Sequence, residues 1–260
     1  MSAAPAMTGI SALRLRRDPF RLATSRGLWA CAWYLLAYQV VGWALFAVAL
    51  TAVTAAICLG ITLAGLPLLI GAAAVIRSCA NVERRRLRTV LGAPVTGRYR
   101  EVSVDGIMAR VRARWRDPAT WRDIAYLLGM FVPLVTLDFI VLTVWLVFLA
   151  GITLPAWYWA PWQSVGGKTF HGYELGVFPN GPHASPAYGL YIDSLPKALL
   201  AAAVCLILFL LFNYVLVATA RAHAAVARGL LRAPQDPLAE AKEVLRRPGP
   251  LADSALNGRP

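Results

Sequence analysis

LWACAWYLLAYQVVGWALFAVALTAVTAAICLGITLAGLPLLIGAAAVI, Leu28 to Ile76, runs 49 residues without Asp, Glu, Lys, Arg or His. The hydrocarbon core of a bilayer, about 30 Å thick, is crossed by about 20 helical residues. The stretch is therefore too long for one span and right for two joined by a tight turn. Span length puts that turn near Thr51 to Thr54, whereas Gly60, Gly65 and Pro67 favour a later break.

Two further apolar blocks, residues 124–150 and 197–220, supply a third and a fourth span. A hydrophobic share of 58% agrees with a membrane protein. The net charge of +13 would suggest nucleic acid in a soluble chain, but here the charges fall between apolar blocks. No nucleic-acid-binding motif frames the arginines, and nucleic acid is not an expected partner. Cys31, Cys58 and Cys205 lie in apolar blocks and Cys79 among arginines, so neither a disulfide framework nor a zinc spacing emerges.

Loops retained inside keep Lys and Arg, while translocated loops lack them. Residues 1–28 hold five Arg against Asp18, residues 77–123 twelve Arg against five acids, and residues 219–260 seven basic residues against four acids. Residues 151–196 hold only Lys168 against Glu174 and Asp193. The expected layout is a cytoplasmic tail (1–27), two spans (28–76), a basic cytoplasmic linker (77–123), a third span (124–150), an extracellular insert (151–196), a fourth span (197–220) and a cytoplasmic helix with a disordered tail (221–260). The first apolar block is too long for a signal-peptide core and reads as a retained anchor in a multi-pass cell-membrane protein.

The chain repeats itself. WACAWYLL, from Trp29, is echoed in WRDIAYLL, from Trp121, an offset of 92; GITL recurs at Gly60 and Gly151, an offset of 91. VLGAP ending at Pro94 and LLRAP ending at Pro234 are 140 apart, as an insertion of about forty residues after the second GITL would produce. The RDP at Arg17 does not align with the RDP at Arg116 and carries no weight here. The predicted fold is all-α: four transmembrane helices as two duplicated hairpins, with a small extracellular insert between helices 3 and 4.

The Trp and Tyr of the repeated motif are expected at the headgroup level, where amphipathic rings settle. Trp29, Trp115, Trp121, Trp157, Trp159 and Trp162 are the candidate interfacial anchors. In the linker, Val104, Ile107, Met108, Val111 and Trp115 recur at helical spacing among Arg110, Arg112 and Arg114, a pattern suited to anionic headgroups of the bilayer. In the insert, FHGYELGVF and AYGLYI flank the turn-rich PNGPHASP and predict a β-hairpin. His171, Tyr173, Glu174 and His183 are the candidate sensing residues there; their spacing does not make a metal site.

Asp138 is the costliest residue, since an intramembrane carboxylate normally faces a partner or a cavity. Gln39, Thr136 and Thr143 are its expected partners, and Gln39, Asp138 and Asn213 form the candidate intramembrane polar site. No P-loop, nucleophile elbow or HExxH is present, so neither catalytic nor cofactor-binding residues are expected. His223, just past the fourth span, is followed by Ala-Ala rather than an acid, and the 37 residues after it leave no room for an ATP-binding region.

Several stretches together resemble the "Putative sensor" domain family of actinobacterial membrane proteins. They are the Trp29–Leu36 motif, GLPLLIG (65–71), ERRRLRTVLG (83–92), RDPATWRDIAYLL (116–128) and YIDSLPKAL (191–199). Members are often fused to a two-component histidine kinase and sometimes stand alone. The resemblance implies a four-span sensory or relay module in signal transduction, either homodimeric or in complex with a histidine kinase or another membrane partner. A small transporter or transporter accessory subunit is the alternative, and a structural membrane protein a third reading; neither the stimulus nor the downstream partner is named by the sequence.

Overall fold

The computed structural model describes residues 18–59, 65–92, 95, 97, 99, 106–165, 168–177 and 188–232. The expected tail beyond residue 232, the first GITL and His183 lie outside the described residues.

Four of its helices are long and apolar enough to cross a membrane. A short helix α1 (Pro19–Ala23) precedes α2 (Arg26–Leu59); α3 is Gly65–Leu91. Helix α2 runs unbroken past Thr51–Thr54 to Leu59 and α3 begins at Gly65, so the break is the later of the two expected. Next come α4 (Ile107–Trp115) and α5 (Pro118–Ile124), a π-helical turn (Ala125–Gly129) and α6 (Phe131–Ile152). A 3-10 turn (Leu154–Ala156) and four strands lead to α7 (Leu195–Leu231).

Local chemistry explains the starts and breaks. Asp18 caps α1, accepting from the amides of Phe20 (3.1 Å) and Arg21 (3.4 Å), and Asp117 caps α5, accepting from the amide of Ala119 at 3.0 Å. Pro19 and Pro118 hold the first helical position in each case, where a missing N–H costs nothing. The two RDP segments thus do the same local job, a kinship that the sequence offset conceals. The expected span from 124 is broken because Pro133 has no N–H to offer the Gly129 carbonyl. The chain widens there into the π turn, with the Met130 amide bonded to Ala125 O at 2.9 Å.

The outer surface of α2, α6 and α7 is apolar: Val40 is 75% exposed, Leu200 69% and Phe139 61%, as lipid-facing positions should be. At 1.5 Å per residue, α2 (34 residues) and α7 (37 residues) are about 50 Å long or more, beyond the thickness of the hydrocarbon core, so they lie inclined or project from it.

Side-chain pairs give the relative directions. Trp29 packs edge-on against Trp145 (5.5 Å), Gln39 Nε2 donates to Val135 O (3.3 Å), and Phe46 stacks on Phe131 (4.2 Å), so α2 and α6 are antiparallel. Asp138 meets His223, and Phe148 meets Phe212, so α6 and α7 are antiparallel as well. Thus α2 runs parallel to α7, and the end of α2 with the start of α3 points away from the strands. The layout expected from charge has α2 and α6 entering from one face, whereas in the structure the two helices run in opposite directions. Three of the charges counted with the linker are not free: Arg77, Arg84 and Arg86 are tucked into the bundle against Asp117, Asp123 and Glu83.

Between α6 and α7 the strands form two antiparallel pairs, β1 (Trp162–Val165) with β2 (Lys168–His171) and β3 (Tyr173–Val177) with β4 (Tyr188–Ile192). The β3–β4 hairpin is the one expected; β1–β2 is additional, because FHGYELGVF breaks at Gly172. Its φ of +150° and a would-be Cβ 2.8 Å from Ile192 O leave room for glycine alone. The Tyr191 hydroxyl donates to His171 O at 2.7 Å and ties the two hairpins together. Leu154, Ile192 and Ala198 form a small separate core that seats them on the helices.

Candidate functional site

Where the four long helices cross, polar side chains meet in a fully buried row. Asp138 of α6, His223 of α7 and Glu83 of α3 are each 0% exposed. Asp138 Oδ2 lies 2.7 Å from His223 Nδ1. Nε2 of the same ring is 3.4 Å from the Tyr126 hydroxyl, which donates to Glu83 Oε1 at 2.8 Å. Glu83 in turn accepts both Nε–H contacts of Arg86 at 3.0 and 3.1 Å, and a further short one from Nη2.

Each member is held by its element. Tyr126, buried in the π turn, follows the buried Asp123 of α5 by three residues and lies on the same inward face. From α2 come two aromatic walls: Tyr38 meets the His223 ring edge-on at 4.4 Å and Tyr34 at 5.2 Å. The Arg86 guanidinium stands over both of those rings, 4.2 Å from Tyr34 and 4.7 Å from Tyr38, and donates to Tyr34 O at 2.7 Å. All four long helices thus contribute to one node.

Its electrostatics follow from the inventory of donors. Tyr126 gives its only proton to Glu83, so its oxygen accepts from His223 Nε2. Nδ1 then shares a single proton with Asp138, either as an imidazolium–carboxylate pair or as a neutral pair. The Glu83–Arg86 pair is neutral in sum, so the row as a whole carries no net charge, the condition under which buried ions are tolerated. Asp138 Oδ1 is buried without a partner among the described residues. Such a row can store a proton, pass it by a short step, or couple a helix displacement to that step.

A second cluster lies beside it. Arg84 donates to Asp123 (2.7 Å), Asn81 (2.8 Å), the Tyr99 hydroxyl (2.5 Å) and Leu231 O (3.0 Å), and the Tyr99 hydroxyl donates to Asp123 at 2.7 Å. Arg77 stacks over Tyr99 at 4.4 Å and pairs with Asp117. This clamp fastens α5 and the end of α7 to α3. Burial raises the Asp123 carboxyl above the ordinary range despite Tyr99 and Arg84, and pushes the Tyr99 phenol up to about 12.

Of the expected polar site, Asp138 faces the other helices, but its partner is His223 rather than Gln39, Thr136 or Thr143. Gln39 bonds the Val135 carbonyl, and the two threonines are exposed. Asn213 lies elsewhere, accepting from Trp145 Nε1 at 2.8 Å, so the three residues do not form one site. The repeated motif divides: Trp29 and Trp121 are half exposed, whereas Tyr34 and Tyr126 are buried at the node instead of lying at the headgroups. Trp159 and Trp162 are exposed, and Trp115 and Trp157 partly buried, bonded to Leu69 O (3.0 Å) and Thr153 Oγ1 (3.1 Å). His171 is exposed on β2, and Tyr173 and Glu174 are partly buried on β3. On α4, Val111 is buried while Ile107 and Met108 are exposed beside the arginines.

Sequence reasoning missed His223, Tyr126, Tyr34, Glu83 and Arg86 as one set. A signal was present: Glu83 and His223 are 140 apart, the offset of VLGAP and LLRAP, and Tyr34 and Tyr126 are 92 apart, the offset of the repeated motif.

No curated protein and no solved structure matches the chain. The sequence profile of one family does, over residues 34–231, a region that begins at Tyr34 of the node and ends where α7 ends. The chain belongs to the family described as "Putative sensor".

Proposed function

We propose that the chain is a membrane-embedded sensor or signal-relay module, with no catalysis of its own, that acts on a separate two-component or transcriptional regulatory partner. The observation that carries this reading is the node: one buried, charge-balanced row takes a side chain from α3, α6 and α7 and a carbonyl from α2. No long helix can shift without breaking one of its bonds, so a stimulus at the strands or in the bilayer is felt at the start of α3 and the end of α7. Those ends, with the arginines of α4, face the cytoplasm and its partner in this reading, and the strands face outward.

We further propose that the two hairpins are a duplication inverted about an axis through the node. Antiparallel α2 and α6, and the equivalence of Glu83 with His223 and of Tyr34 with Tyr126, support it. Inversion also favours the second reading, a small transporter or accessory subunit. Transport needs a polar path across the bilayer, and among the described residues polarity on the strand side of the node stops at Asn213 and Trp145. Sensing therefore ranks first.

The test is the transcriptome of cells carrying Asp138→Asn or His223→Gln in place of the wild-type gene. Each variant should accumulate in the membrane yet reproduce the expression profile of the deletion strain. A wild-type profile from both would refute a signalling role for the node.

A further inference from the structure

Next to the strands, α6 and α7 enclose a cavity of about 470 Å³. Its back is formed by Phe148 and Gly151 of α6 and by Val204, Cys205 and Leu208 of α7. Gly151 and Cys205 are so close that a Cβ on the glycine would run into Sγ, which fixes the two helices against each other there. Its roof is the β3–β4 hairpin, where Leu175 and Leu190 are paired across the strands and remain 60% and 51% exposed.

Two features single this cavity out. A hairpin between spans would ordinarily turn polar side chains to water, yet this one presents a leucine pair that continues the apolar wall of the helices without a break. The cavity also opens sideways past Val147 (59% exposed) and Leu200 (69%), surfaces of the spans that meet hydrocarbon. Its one charged lining residue is Lys197, at the rim and half exposed, with Nζ 2.8 Å from Asp193. An occupant must therefore be apolar along its length and enter from the bilayer.

We infer that the cavity is a binding site for one acyl chain of a phospholipid in the leaflet nearest the strands. The chain lies between α6 and α7 beneath Leu175 and Leu190, and its bulk, not its chemistry, spaces the hairpin from the helices. The inference concerns binding alone and stands whether or not the node signals.

The test uses the purified full chain in phosphatidylglycerol vesicles doped with a lipid that carries a photoactivatable diazirine on its acyl chain, with adducts mapped by peptide mass spectrometry. Adducts at Phe148, Cys205 and Leu208 should exceed those at the lipid-facing Val40 and Phe139 severalfold, because a chain seated in the cavity exchanges more slowly than one sliding over an open helix face. Ala201→Trp, which fills the cavity from α7, should abolish the excess while labelling at Val40 is unchanged; Leu199→Trp adds the same bulk outside the cavity and should preserve it. If Ala201→Trp alters labelling at Val40 too, Leu175→Glu, which sets a charge over the cavity, takes its place and should likewise abolish the excess. Labelling of the cavity no stronger than that of Val40 in the wild-type chain would overturn the inference. So would an excess that survives both cavity variants, or disulfide bonding between copies through Cys205 in place of lipid adducts.

Discussion

Glu83 and His223, 140 residues apart, meet on one oxygen: the Tyr126 hydroxyl lies 2.8 Å from the Glu83 carboxylate and 3.4 Å from His223 Nε2. One residue is an acid and the other a base, although each stands seven residues before one of the segments VLGAP and LLRAP. Tyr126→Phe removes this bridge without opening a cavity. Its stability cost should be modest, about 1 to 2 kcal/mol for one interhelical hydrogen bond in a membrane, read from unfolding in detergent. The regulatory output should fall much further than abundance, since the Asp138–His223 and Glu83–Arg86 pairs would then move independently.

The Asp138–His223 pair should behave as a unit. Removing one partner strands a buried charge, so Asp138→Leu or His223→Leu alone should destabilise the chain by about 3 to 5 kcal/mol. The double variant should cost less than the sum of the two, because it leaves nothing uncompensated. Asp138→Asn keeps a hydrogen bond to the ring and should accumulate near normally. Additive losses in this cycle would show that the two side chains do not depend on each other.

How much of this was legible in the sequence depends on which physical signal carried it. The four spans, the later break at Gly65 and Pro67 and the β3–β4 hairpin follow from uncharged length and turn chemistry, which act locally. Asp138 is identifiable by its cost in the membrane, but its partner was not, because His223 sits past the apolar block in what looks like a flanking segment. Helix α7 continues to Leu231 and carries that histidine into the core. Similarly, Glu83, Arg84 and Arg86 read as loop charges because hydropathy cannot distinguish a free arginine from one paired in a bundle. The direction of α2 against α6 rests on aromatic contacts between distant residues, and no local pattern encodes them.

The directions of the helices yield a test of sidedness. Single cysteines in a cysteine-free background at Thr24, at Thr169 on β2 and at Gly229 near the end of α7 can be labelled with an impermeant maleimide in intact cells. The start of α2 and the strands share one end of the bundle, so Thr24 and Thr169 should react alike and Gly229 oppositely. Charge counting alone puts Thr24 with Gly229, so the outcome decides between the two layouts.

The clamp around Arg84 gives a pH signature. The Tyr99 phenol, raised by burial to about 12, keeps its proton in the folded chain where an unfolded chain loses it near 10, about the ordinary tyrosine value. A raised pKa contributes stability that is complete below the unfolded value and disappears as pH rises through the folded one. The melting temperature should therefore decline between about pH 10 and 12, and Tyr99→Phe should flatten part of that decline. An alkaline limb of the same slope in the variant would mean that Tyr99 does not hold the clamp.

Pro133 offers the sharpest separation of stability from signalling. It cannot donate to the Gly129 carbonyl, and the chain compensates with the π turn that carries Tyr126. Pro133→Ala restores the missing N–H and an alanine helix preference, so a regular helix through 125–133 becomes the better local structure. That helix would rotate Tyr126 away from Glu83 and His223. The variant should be at least as stable as the wild type in detergent unfolding, yet lose the regulatory output that Tyr126→Phe loses. A variant that melts earlier and still signals would show that the π turn is held by tertiary packing and that the proline is not its cause.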